Sequence, residues 1–125
     1  MPSYTIPEEL PCYQIARQFR IRLLELTKRL PREEEYRLKD QILRAARSVT
    51  ANIAEGFGRH HHQENIQFSR QARGSLVELR DHLNVAGDEG LFSEAEIGPH
   101  RDRLEAAHVS LNGYIAYLNR CVAKG

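Results

Sequence analysis

Residues 38–59, LKDQILRAARSVTANIAEGFGR, constrain the fold more than any other stretch of the chain. Leu38, Ile42, Ala45, Val49, Ile53 and Gly56 recur at spacings of three and four, which places them on one face of a helix with 3.6 residues per turn. Beside that stripe, Arg47, Ala51, Ala54 and Gly58 form an edge of mostly small residues, where another helix or another subunit can come close to the backbone. Gly56 and Gly58 mark where the helix weakens and stops, with Phe57 turned inward. A helix with one apolar face has to bury it, so the rest of the chain must supply matching faces.

It supplies three. Cys12, Ala16, Phe19, Leu23, Leu26 and Leu30 alternate spacings of four and three, giving a first helix over 12–30. Leu30-Pro31 ends it, because the residue before a proline is pushed out of the helical region. The second helix is expected over 33–57. Its acidic run Glu33, Glu34, Glu35 meets the positive end of the helix dipole, and Glu33/Arg37, Glu35/Lys39 and Asp40/Arg44 are pairs four apart. After the turn GRHHH, a third helix is expected over 63–86, with Phe68, Ala72, Leu76, Leu79, Leu83 and Ala86 inward and with Gly87 and Gly90 bracketing its end. Gly74 inside it costs ~1 kcal/mol relative to Ala, which a close helix approach would offset. Ser93 as N-cap and Glu96 as its capping-box partner open a fourth helix over 94–122. This one carries Ile97, Leu104, Ala107, Leu111, Tyr114, Leu118 and Cys121, and Pro99 is expected to delay its regular start by a turn. Residues 1–11 read as irregular. Residues 1–125 then make one all-α domain, an antiparallel up-down-up-down four-helix bundle.

Composition agrees with a globular fold. Of the 125 residues, 41% are hydrophobic and 28% charged, well away from the range of disordered chains. Cys12 and Cys121 have neither the number nor the spacing of a disulfide framework or a zinc site. The opening MPSYTIPEELPCYQ lacks a basic stretch followed by an apolar run, and no segment approaches ~18 consecutive apolar residues. The expectation is a cytoplasmic protein without membrane contact. Net charge is +1 but unevenly placed: ten Lys/Arg against five acids in residues 13–50, seven acids against four bases in residues 81–125. Such asymmetry fits a nucleic-acid surface, and it fits helices that complement one another on packing or assembly.

Few residues offer chemistry. Arg44, Arg47, Arg59, Arg70 and Arg73 are the candidate basic surface, on two helices joined by a tight turn, where phosphate contacts would make affinity fall steeply with salt. The opposing reading pairs these Arg with Glu55, Glu64, Glu78 and acids of a neighbouring subunit. Stacking partners for bases are scarce there, with only Phe57 and Phe68 nearby, both expected in the core. His60, His61 and His62 are consecutive, so they cannot converge on one ion, and no Cys, Asp or Glu joins them at ligand spacing; no metal or other cofactor is expected. Asn52 and Glu55 fall between core positions and are expected to bond groups on adjacent helices, such as Arg73 and Ser75. Glu55 with a His of the turn is the single acid/base arrangement to check, and no nucleophile, phosphate loop or metal set accompanies it. Ala51, Ala54, Gly58 and Gly74 are the candidates for close packing or oligomer contact.

Taken together, LPREEEYRLKDQILRAARSVTANIAEGFGR, FSRQARGSLVELRDHL and the hinge GDEGLFSEAEI resemble a bacterial four-helix bundle family, that of the protein encoded in intervening sequences of large-subunit ribosomal RNA genes. The resemblance covers about residues 12 to 121. It implies a barrel-like homopentamer related to the accessory protein of diversity-generating retroelements, which binds a reverse transcriptase and nucleic acid through a basic surface. A non-enzymatic, oligomeric scaffold associated with RNA or another nucleic acid is the expected function. The alternative is a protein-protein adaptor without nucleic-acid affinity, which the near-neutral charge favours.

Overall fold

A computed structural model describes residues 3–125 and contains four α-helices: α1 (Pro11–Thr27), α2 (Leu38–Gly58), α3 (His62–Asp88) and α4 (Glu94–Ala123). They pack as a four-helix bundle, with no strand among the described residues. The expected stripes form most of the core, although Phe68 and Cys121 are only half-buried. Cys12, Ala16, Phe19, Leu23 and Leu26 of α1, the whole α2 stripe, Ala72, Leu76, Leu79, Leu83 and Ala86 of α3, and Ile97, Leu104, Ala107, Leu111 and Leu118 of α4 are all buried. Leu10 and Phe92 close the core from outside the helices, and Ile115 joins it from α4. Tyr114, Leu30 and Phe57 pack against it half-buried. No helix is long and apolar enough to cross a membrane.

Two of the helix contacts run in register along their length. Ser75 of α3 donates to Ser48 of α2 at 2.9 Å, and lower in the same hairpin Gly56 meets Asn65. Between α3 and α4, Arg73 donates to Asn112 (3.0 Å), Arg80 to Glu105 (3.2 Å) and Arg101 to Asn84 (2.7 Å), three rungs of one antiparallel ladder. At the far end, Arg29 after α1 meets Glu96 of α4 at 2.6 Å.

Helix ends are where the structure departs most from expectation. The N-terminal segment is partly regular: a 3-10 turn, Pro7–Glu9, is held by the Glu9 carboxylate, which accepts from the Thr5 (2.7 Å) and Ile6 (3.1 Å) amides. These bonds hold Glu9 below the usual carboxylate range. Met1 and Pro2 of the expected irregular segment lie outside the described residues. Helix α1 stops at Thr27 and not at Leu30, its chain end tightening into three-residue bonds from Arg29 to Leu26 and from Leu30 to Thr27 ahead of Pro31. Helix α2 begins at Leu38 and not at Glu33. The acidic run forms a separate 3-10 turn, Arg32–Glu34, from which Glu34 accepts the Leu38 amide at 3.3 Å. The carboxylates therefore sit ahead of the helix. Lys39–Glu35 and Arg44–Asp40 form as expected, whereas Glu33 and Arg37, outside the regular helix, make no ion pair among the described residues.

The α3–α4 connection follows its residues closely. Gly90 takes φ +70°, the left-handed conformation that glycine adopts without steric cost, and the Leu91 and Gly90 amides bond the Ala86 and Gly87 carbonyls. Ser93 caps α4 by accepting the Glu96 amide (3.2 Å) while Glu96 accepts the Ser93 amide (2.9 Å). Pro99 does not delay the helix: α4 is regular from Glu94, with Pro99 in its second turn. Gly98 before it has no Cβ, which removes part of the clash that bars helical geometry before proline.

Gly74 is also a correction. A Cβ there would meet nothing within 4 Å, so no neighbouring helix of the chain approaches it. The close approach is at Gly56, where a Cβ would stand 2.7 Å from Asn65 Oδ1 and 2.9 Å from Phe68 Cβ. We expect Gly56→Ala to destabilise the fold by ~1–3 kcal/mol through overpacking. Gly74→Ala, in open space, should be neutral or stabilising by up to ~1 kcal/mol. Urea unfolding of both variants checks the contrast, and equal midpoints would remove the close-approach argument.

Candidate nucleic-acid interface

The five arginines of the basic surface fall into three groups. Arg44 and Arg47 are one turn apart on α2, Arg70 and Arg73 one turn apart on α3, and Arg59 stands in the turn between the helices. Ser48–Ser75 marks the seam between α2 and α3, while Arg73 reaches the other way, to Asn112 of α4. The five therefore do not converge on one cradle. Arg44 is held by Asp40 (3.4 Å), and Arg59 by Glu55 (3.2 Å) and the face of Phe68, 5.1 Å from its ring centre. Arg47 and Arg70 are exposed and make no ion pair among the described residues. The reading that pairs Arg with Glu55 holds for Arg59; Glu78 instead meets His82 at 2.9 Å.

Asn52 and Glu55 find partners other than those expected. Asn52 donates to the Ser48 carbonyl and hydroxyl on its own helix (2.9 and 3.0 Å), and only Ser48 continues the chain to Ser75. Glu55 is exposed on the surface with Arg59 and does not meet a His of the turn. Ala51 and Gly58 are exposed, Ala54 half-buried, and a Cβ at Gly58 would meet nothing within 4 Å. The small-residue edge of α2 thus faces away from the chain's own helices.

The turn itself is built by strain and ring contact. His60 takes φ +54°, uncommon for any side-chain-bearing residue, and its ring lies 6.1 Å from that of Phe57. Its amide and that of Arg59 bond the Phe57 and Gly56 carbonyls, which finishes α2 and starts α3 after three residues. Beside this turn is a cleft of about 410 Å³ whose walls include Tyr4, Phe57, His61, Asn65, Tyr114 and Tyr117. Tyr114 and Tyr117 stack, with ring centres 6.4 Å apart and planes at 23°. The expected scarcity of stacking groups near the turn is corrected here. The rings come from α4 and the N-terminal segment, distant in sequence, so no local pattern could have disclosed them. Aromatic faces beside histidines suit unpaired bases, which stack on any π-surface.

The polar floor of that cleft was also missed. Asn65 is buried and donates to the Tyr114 hydroxyl at 2.8 Å while its Oδ1 accepts from Ser69 at 3.2 Å. Burial pushes the Tyr114 phenol up to about 12, and the Cys12 thiol likewise to about 12, so neither is ionised near neutrality. Among the described residues, no group of three or more His, Cys, Asp or Glu could hold a metal ion. Replacing Tyr114 by Phe should cost ~1–3 kcal/mol, because the buried Asn65 amide loses its acceptor. Chemical denaturation reads this directly, and an unchanged midpoint would show that water takes over the bond.

Comparison with known proteins agrees with the fold. No curated protein matches the chain. The family model described as 23S rRNA-intervening sequence protein matches residues 8–113, from the 3-10 turn to the middle of α4. The match spans most of the chain, and the chain belongs to the 23S rRNA-intervening sequence protein family.

Proposed function

We propose that this chain is a non-enzymatic helical scaffold that assembles with copies of itself, as a pentamer, and holds RNA or another nucleic acid by phosphate contacts in the cytoplasm. The observation that carries the reading is the outward small-residue surface. Ala51 and Gly58 are exposed on α2, and Gly58 and Gly74 have no group of the chain within 4 Å of a Cβ position. Two valines are exposed on the other helices: Val77 of α3 (51% exposed) and Val109 of α4 (63% exposed), each between the residues that form the Arg73–Asn112 and Arg80–Glu105 rungs. Small and apolar groups there let a second backbone approach closely. The free guanidinium groups of Arg47 and Arg70 and the ring-lined cleft beside the turn support phosphate and base contact. The family's description, which refers to ribosomal RNA, points the same way. Among the described residues, no group of three or more His, Cys, Asp or Glu stands where it could hold a catalytic metal.

Two measurements test this. Light scattering at micromolar concentration should give a mass near five times 14.4 kDa, and Ala51→Leu should lower that mass without changing helical content. A wild-type mass of a single chain removes the assembly. Fluorescence anisotropy with structured RNA should show affinity falling by at least tenfold between about 50 and 200 mM salt. The double variant R47E/R70E, at the two arginines without an ion pair among the described residues, should abolish that binding with its helices intact. No binding at low salt favours the adaptor reading, in which the exposed valines meet a protein partner.

A further inference from the structure

On the other side of the molecule, where α1 meets the first half of α4, three guanidinium groups surround a cleft of about 390 Å³ lined by Arg22, Glu25, Leu26, Arg29, His100 and Arg103. The residues come from segments some seventy positions apart, and the helix contact alone brings them together. Their mutual repulsion is only partly balanced. Arg29 is pinned by Glu96 at 2.6 Å and lies over the Phe92 ring, 5.6 Å from its centre, and Arg22 stands 3.6 Å from Glu25. Arg103 makes no ion pair among the described residues. Among the lining residues, the half-buried His100 ring keeps its Nδ1 away from solvent without a hydrogen-bond partner, the one such side-chain atom among the described residues.

We propose that this α1–α4 cleft is an anion site that takes a phosphate group, with Arg22, Arg29 and Arg103 as its donors and His100 as a group that gains a proton when the anion binds. Guanidinium forks match phosphate oxygens in geometry, and Arg29 is held in place before any ligand arrives, so little side-chain freedom is lost on binding. The volume is at the small end of ordinary ligand pockets, ~300–1,000 Å³. His100 reports the field of the site. Burial, then Arg103, Arg29 and Arg22, hold it below the ordinary histidine value of 6.5, and Glu25 alone opposes them. An anion among the arginines reverses their effect, so binding raises the His100 titration point. By linkage, affinity then rises as pH falls through that point. The site stands apart from the α2–α3 surface and does not depend on the function proposed above.

The test is proton–carbon NMR of the full chain, with the His100 ring signal assigned by His100→Asn. Inorganic phosphate, titrated at constant ionic strength against sodium chloride, should move that signal saturably and raise its titration midpoint, while the chemical shift of His82, which does not line the cleft, is unchanged by phosphate. R22Q/R103Q should weaken the response at least tenfold with unchanged circular dichroism, and R47E/R70E should leave it intact. A dinucleotide with only its internal phosphodiester that shifts His100 as strongly as a 5′-phosphorylated one identifies a nucleic-acid backbone as the source. Preference for the phosphorylated end identifies a small phosphomonoester. An equal response to chloride, a response that does not saturate, or one that survives R22Q/R103Q overturns the site.

Discussion

The contact on which the rest of the bundle depends is the one made possible by the missing side chain of Gly56. With no Cβ there, α2 approaches α3 closely enough for the Asn65 amide and the base of Phe68 to lie against its backbone. That approach comes one turn before the α2–α3 connection, and it allows three residues to reverse the chain, with His60 in a left-handed conformation. It also decides what Asn65 can do. Pressed against α2 on one side, its amide points to Tyr114 of α4, so a single hydrogen bond joins the hairpin to the last helix. One small residue thereby fixes the spacing of three helices at the end of the molecule that carries the ring-lined cleft.

Away from that point, apolar burial dominates. All eight ion pairs of the described residues have at least one partner substantially exposed, and such pairs contribute roughly 0–1 kcal/mol each. Burying one Leu or Ile side chain contributes ~1.5–3 kcal/mol. The α3–α4 ladder therefore selects register more than it adds stability. Arg73, Arg80 and Arg101 would each lose a partner if α4 slid by a turn, while the alanines and leucines beneath would repack with less penalty.

The stripes were legible because a helix face repeats, and repetition survives without knowledge of the neighbour. Leu38 to Gly56 and Ala72 to Ala86 fall where their spacing put them, whereas Phe68, one turn earlier, stays half-buried under Arg59. Helix ends were less legible because they turn on competition between nearby bonds. The carboxylate of Glu34 can sit inside a first turn or ahead of it, and only the packing of Leu38 decides. Pro99 misled for a related reason: its penalty was read without the relief that Gly98 gives. Buried polar groups were nearly invisible. Asn65, Ser69 and His82 are polar letters at inward positions, and what makes them tolerable there, Tyr114, Asn65 and Glu78, lies partly on another helix. The five arginines were found as residues but not as a surface, since helical phase sends Arg73 toward α4 and leaves Arg47 on the far side of α2.

Net charge misleads about where this chain can attract an anion. A total of +1 averages over acids and bases that never meet. Around His100, two of three arginines have carboxylate partners, yet the ring still lies in a positive field, because Glu96 is spent on the outer edge of Arg29 and Arg103 has no partner among the described residues. The Debye length at physiological salt is ~8 Å, so it is this near balance, and not the total, that an approaching phosphate senses. The same reasoning applies at α2–α3, where Arg44 and Arg59 are neutralised along their own helix and Arg47 and Arg70 are not. Arg103 on one side of the bundle, and Arg47 and Arg70 on the other, therefore keep their charge uncompensated by any ion pair among the described residues. Neutral composition and local attraction are then compatible, because screening makes an approaching anion answer to the nearest charges and not to the total.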